Sequence, residues 1–248
     1  MVSNGVKRFL LALQFLTILP VRIKAKFNED DFGASLVYFP LVGLLLGLFL
    51  CGCFFLFSFL PDAVRAALIL LISIVISGGI HLDGFADTCD AFYGHKPKEK
   101  ILEIMRDSHI GTMAVIGLCA LLLLKFSLLA SIPAGYLWKL LILTPIFSRY
   151  CQVIACVSCG YARNDGKAKY FVEYAGRKEF FIATVFTVLF SLLLMKLKGV
   201  SLLALCLFFA WLFIMQIKRR IGGMTGDTIG AISEAAEVVV LLFGLFLI

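Results

Sequence analysis

Three acidic residues fall close together in the segment SGGIHLDGFADTCDAF: Asp83, Asp87 and Asp90. On a helix the offsets i, i+4 and i+7 lie within about a 60° arc. Three carboxylates on one face repel one another unless a cation neutralises them. Hard oxygen donors on successive turns suit Mg²⁺ or Mn²⁺, above all where the ion also holds phosphate oxygens. A second set, Asp227, Glu234 and Glu237, lies in GGMTGDTIGAISEAAEVVVLL at i, i+7 and i+10. Glu237 runs into apolar sequence, where a bare carboxylate requires a metal, a cation or a proton. The nearby Gly222, Gly223 and Gly226 would let backbone approach a phosphate. In a third segment, IMRDSHIGT, Asp107 and Ser108 suit a helix cap, and Ser108, Gly111 and Thr112 suit an anion at a helix N-terminus. Arg106 and Arg149 are the cations placed to steady phosphate oxygens; Lys125 is an apolar-run lysine that snorkels or pairs.

These residues must be positioned by membrane helices. The chain has 248 residues, 61% of them hydrophobic and 16% charged, against about 45–50% and 25% in a soluble domain. Its mean hydropathy is +1.00. Seven candidate spans follow, at about 34–60, 62–80, 110–132, 137–158, 180–195, 200–217 and 229–248, each near the ~20 residues that cross a bilayer. Pro40, Gly43 and Gly47 predict a tilt or kink in the first. Phe9–Leu19 reads as a short helix lying at the interface. With neither linker nor repeat, the fold class is all-α: one polytopic bundle spanning 1–248.

With alternating connections, seventeen lysines and arginines fall on one side and four on the other. The richer side includes Arg22 and Lys24, the 81–109 and 159–179 loops and the residues after 217. The positive-inside rule makes it cytoplasmic and accounts for the net charge of +7 without a nucleic-acid partner. All three chemistry-bearing segments map to that side. The basic, aromatic loop YARNDGKAKYFVEYAGRK lies there too, and suits either a phosphate or plain solvent. His81 and His95 read more readily as interfacial polar residues than as ligands. The eight cysteines read as reduced, Cys156 and Cys159 forming a CxxC without a second pair.

Together GGIHLDGFADTCDAF, IMRDSHIGT and GGMTGDTIGAISEAAE closely resemble the cobalamin synthase, or adenosylcobinamide-GDP ribazoletransferase, family. FLTILPV, the Pro40–Gly43 stretch, Arg149 and the YAR-N-D-G segment resemble it as well, so the likeness covers nearly the whole chain. His109 and Ala91 depart from the family's Arg and Gly. The resemblance implies an Mg²⁺-dependent transferase of substituted phosphate groups in the bacterial or archaeal inner membrane, with its site facing the cytoplasm. Adenosylcobinamide-GDP and α-ribazole, or its 5′-phosphate, would give adenosylcobalamin, or its 5′-phosphate, and GMP. Asp83, Asp87, Asp90 and Asp227 would be catalytic and metal-binding, with Glu234 and Glu237 completing the metal shell. Arg106, Asp107, Ser108, Arg149 and Gly226 would bind substrate. Two other readings stay open: a CDP-alcohol-type headgroup phosphotransferase, whose downstream motif is missing, and a cation transporter, which Glu237 suits best. The sequence leaves the oligomeric state open.

Overall fold

The computed structural model describes residues 3–21 and 26–247; Arg22 and Lys24, counted above for orientation, lie outside them. The described residues form an all-α bundle. Helix α1 (Asn4–Leu16) is amphipathic. It buries Leu11, Ala12 and Leu16 against α2 (Glu29–Ser35) and α3 (Phe39–Leu56). Its polar side is fixed by Asp31, which accepts from Lys7 Nζ at 2.5 Å and Arg8 Nε at 3.0 Å. The expected interfacial helix is therefore packed onto the bundle by one face. A 3₁₀ turn, Leu36–Tyr38, joins α2 to α3. Pro40 sits in the first turn of α3, where its missing N–H costs nothing, and does not kink the helix.

Gly43 and Gly47 serve a different purpose from the expected kink. A Cβ on Gly43 would lie 2.5 Å from the Pro145 carbonyl oxygen, and one on Gly47 would lie 2.6 Å from Ile142 Cα. Both glycines let α3 press its backbone onto α8 (Ala134–Ser158), the small-residue packing that brings membrane helices together where lipid supplies no hydrophobic drive. Helix α8 is the centre of the bundle: nearly all of its apolar stretch is buried, and α3, α10 (Arg177–Ile221) and α11 (Gly226–Phe246) surround it.

One expected span is bent, and the break expected between the fifth and sixth is a reversal within one helical stretch. Helix α4 (Asp62–Ser77) ends at Gly78 and Gly79, both with φ of 66°, and the chain turns by 92° into α5 (Ile80–Phe92). Two successive left-handed residues are a conformation glycine adopts without steric cost. The aspartates are thus carried by a separate helix laid across the end of α4. The expected fifth and sixth spans both fall inside α10, a 45-residue stretch broken at Lys196 (φ 52°, ψ −137°). A Cβ on Gly199 would lie 2.3 Å from the Ser191 carbonyl oxygen, although eight residues of straight helix would separate them by about 12 Å. The stretch therefore doubles back. By length and apolarity five helical stretches among the described residues can cross a membrane, or six counting α4 with α5. Helices α6 (Lys98–Ile104), α7 (Thr112–Ser131) and the short α9 (Lys169–Glu173) complete the order.

Inside the bundle α7, α8 and α11 are joined by buried charge. Lys125 of α7 donates to Glu234 and, at 2.7 Å, to Glu237, both on α11. Arg149 of α8 donates to Ser148 at 3.0 Å and Ser233 at 2.8 Å, and stands 3.5 Å from Glu237. Two cations and two anions cancel, which makes the group tolerable in apolar surroundings.

Two consequences are measurable by thermal unfolding in detergent. Gly47→Leu should lower the midpoint sharply, while Gly52→Leu, whose Cβ meets open space, should leave it within a few degrees. Lys125→Met should destabilise by about 3–5 kcal/mol, because it strands buried carboxylates. Adding Glu234→Gln should recover part of that loss; equal midpoints for the single and double variants would contradict the charge pairing.

Candidate active site

The site forms where α5 crosses the start of α11. Thr225 caps α11, accepting from Thr228 N at 3.2 Å, while Thr228 Oγ1 accepts from Thr225 N at 2.9 Å. Asp227 follows in the first turn, where the helix dipole favours an acid. Helix α5 approaches it through Gly84: a Cβ there would lie 2.7 Å from both Asp227 Cα and the Asp227 carbonyl oxygen. The glycine's missing side chain brings Asp83 and Asp87 up to Asp227. The carboxylates of Asp227, Asp83 and Asp90 all lie near enough to repel that of Asp87.

One cation enters this group. Arg163 Nη2 stands 2.9 Å from Asp227 Oδ2, at ion-pair distance but not aligned as a hydrogen bond. Its loop, residues 159–168, is stitched to the turn before α11. Ala162 N donates to the Met224 carbonyl at 2.8 Å, and Met224 N donates to the Gly160 carbonyl at 2.9 Å. Gly223 is packed under this bridge, where a Cβ would meet the Gly160 oxygen at 2.4 Å. Gly223 thus serves the junction between two loops, while Gly222, with φ of 79°, ends α10.

The other expected site residues are distributed differently. Asp90 accepts from the backbone N–H groups of Gly111 at 2.6 Å and Ala114 at 2.9 Å, so both its oxygens cap the N-terminus of α7. The anion site expected at Ser108, Gly111 and Thr112 is filled by the protein's own carboxylate. Gly111, not Asp107 or Ser108, occupies the cap position. Asp107 instead accepts from His109 N at 3.0 Å and meets His109 Nδ1 at 2.5 Å; the histidine holds its carboxyl below the usual carboxylate range. Ser108 is exposed. Arg106, expected on a phosphate, braces the loops by donating to Asp165 at 2.7 Å. Arg149, Glu234 and Glu237 belong to the buried charge group of α7, α8 and α11. The six acids therefore form two sets: the aspartates near the helix ends, and the glutamates neutralised by Lys125 and Arg149.

A cavity of about 950 Å³, counted out to its mouth, opens beside the aspartates. Asp83, Asp227 and Gly226 line it, together with Tyr161, Arg163, Lys167, His81 and Gln152. Gln152 carries no signal in the sequence that separates it from other helix residues. Arg163 stands in the YAR-N-D-G segment that resembles the family, but no role was attached to it, and its partner lies far along the chain.

Among the described residues no three His, Cys, Asp or Glu side chains are grouped so that they could hold a metal ion by themselves. Mg²⁺ does not require one: it binds through one or two carboxylates, keeps waters and takes the remaining oxygens from substrate phosphates. Asp83 and Asp87, one helical turn apart and without hydrogen-bond partners among the described residues, with Asp227 opposite, supply donors of that kind.

Comparison with known proteins identifies the family. A family model described as cobalamin-5-phosphate synthase matches residues 8–245. The chain is 38% identical to an adenosylcobinamide-GDP ribazoletransferase of Geotalea daltonii, covering 94% of this chain and 95% of the relative. It is 38% identical to one of Acetivibrio thermocellus, covering 97% and 98%, and 34% identical to one of Clostridium acetobutylicum, covering 95% and 94%. No solved structure matches. A bundle matched over almost its whole length, with its free aspartates gathered at one end, belongs to the cobalamin-5-phosphate synthase family.

Proposed function

We propose that this chain joins adenosylcobinamide-GDP to α-ribazole, or its 5′-phosphate, and releases GMP. The observation that carries the reading is the meeting of Asp83, Asp87 and Asp227 with Arg163 beside a cavity that opens to solvent. A ribose hydroxyl attacks the phosphorus on the cobinamide arm, and the bond from that phosphorus to the GMP oxygen breaks. Phosphoryl transfer demands positioning and charge neutralisation more than covalent help. Asp83 and Asp87 would hold Mg²⁺, which when bound neutralises charge on the diphosphate oxygens. Arg163 turns from Asp227 to a phosphate oxygen, and Asp227 takes the proton of the attacking hydroxyl. Asp90 keeps α7 against α5 and so holds the metal-binding turn in place.

The partition of lysine and arginine supports a cytoplasmic site in the bacterial or archaeal inner membrane. A transport pathway is disfavoured because Glu237, its best candidate, is closed by Lys125 and Arg149.

Purified protein supplied with both substrates and Mg²⁺ should release GMP without any membrane gradient. EDTA should stop release, and added Mg²⁺ should restore it. Asp83→Asn and Asp227→Asn should each reduce the rate by about 10²-fold or more, within the range for removing a general base or a charge stabiliser. Arg163→Ala should do likewise, with Arg163→Lys retaining partial activity. Rates within threefold of wild type for both asparagine variants would refute this assignment of the site.

A further inference from the structure

The cavity beside Arg163 has two kinds of wall. Asp83 and Lys167 are exposed and mark its mouth. Farther in, Phe39 and Phe171 are each 1% exposed, their ring centroids 5.6 Å apart, with Phe15 at 4.4 Å from Phe171. Two polar side chains interrupt this carbon surface. His81 is 6% exposed and Gln152 1%, and Gln152 Nε2 lies 2.8 Å from His81 Nε2. With the amide so oriented, Gln152 donates, His81 Nε2 accepts, and the proton of the neutral imidazole sits on Nδ1. His81 Nδ1 and Gln152 Oε1 are both buried and have no hydrogen-bond partner among the described residues. Buried polar atoms are normally paired, so this one donor and one acceptor define what the inner wall lacks.

We propose that the inner chamber is the base subsite of the nucleoside acceptor, built for a benzimidazole-type base. The proposal rests on the transferase reading. Such a base is a flat, apolar bicycle with a single free ring nitrogen once the sugar is attached. Its faces lie against the phenylalanines, and its ring nitrogen accepts from His81 Nδ1. Gln152 is a positioning residue: it fixes the imidazole tautomer and leaves Oε1 for a ribose hydroxyl of the same nucleoside. The guanine of the activated half fits this wall poorly. Its edges carry two kinds of donor and three acceptors, most of which would be buried unpaired. The guanosine end is thereby assigned to the mouth, beside Lys167 and solvent.

The test uses the full chain in detergent. His81→Leu should raise KM for α-ribazole about tenfold, the usual consequence of one lost hydrogen bond, with KM for adenosylcobinamide-GDP unchanged. His81→Asn, whose amide N–H takes the place of Nδ1–H, should recover most of the loss. Gln152→Leu should weaken the acceptor in the same selective way. Calorimetric titration of α-ribazole alone should show the same weakening, so the subsite is read without turnover. A rise in the donor's KM instead, or α-ribazole binding unaltered in His81→Leu, overturns the proposal. Wild-type binding that depends on His81 but is accompanied by no GMP release would support the subsite and count against the transferase reading.

Discussion

Four charges buried among apolar helices set the terms for the rest of this structure. Lys125, Arg149 and Glu234 are buried and Glu237 is partly so, where water screens them little, so each must find an opposite charge or lose its ionisation. They find one another only when α11 lies in the angle between α7 and α8. Fixing α11 there also fixes its first turn, and with it Asp227. A deep electrostatic constraint thereby decides where the aspartates at the helix ends can gather.

The second ingredient is close backbone approach. Gly78 and Gly79 swing α5 across the bundle end, and Gly84 then lets it settle on Asp227. Asp90 secures the far end of α5 by binding the first amides of α7. One acidic helix therefore performs two jobs through residues on a single face. Its first two aspartates remain free for a cation, while the third is spent on architecture.

Hydropathy made the bundle readable in the sequence, because lipid solvation acts on every residue of a span and leaves a continuous signal. The shared face of Asp83 and Asp87 was equally readable, since it needs only helical spacing. What stayed hidden depends on contacts between distant segments. Asp90 looked identical to its neighbours until α7 supplied donors to it. Glu234 and Glu237 looked like metal ligands because Lys125, more than a hundred residues earlier, gave no sign of its direction. Arg163 stood in a segment that resembles the family but had no role attached, and the bridge of Tyr161 to Met224 that aims it cannot be seen in either segment alone. The turn at Gly78–Gly79 was visible as two glycines, but its angle was not. The break at Lys196 falls where two spans were expected to meet, beside Gly199; what the sequence did not show was that the left-handed residue would be the lysine and not the glycine.

The placement of countercharges has a consequence for biosynthesis. Lys125 and Arg149 emerge from the ribosome well before Glu234 and Glu237 are translated. During that interval α7 and α8 carry cations with no permanent partners, and the bilayer disfavours their full burial. A nascent chain held at this stage would be recognisable to membrane proteases as an assembly with unmatched polarity. Insertion of α11 ends that vulnerability and delivers Asp227 in the same event, so the neutralisation of the core and the gathering of Asp83, Asp87 and Asp227 are one step.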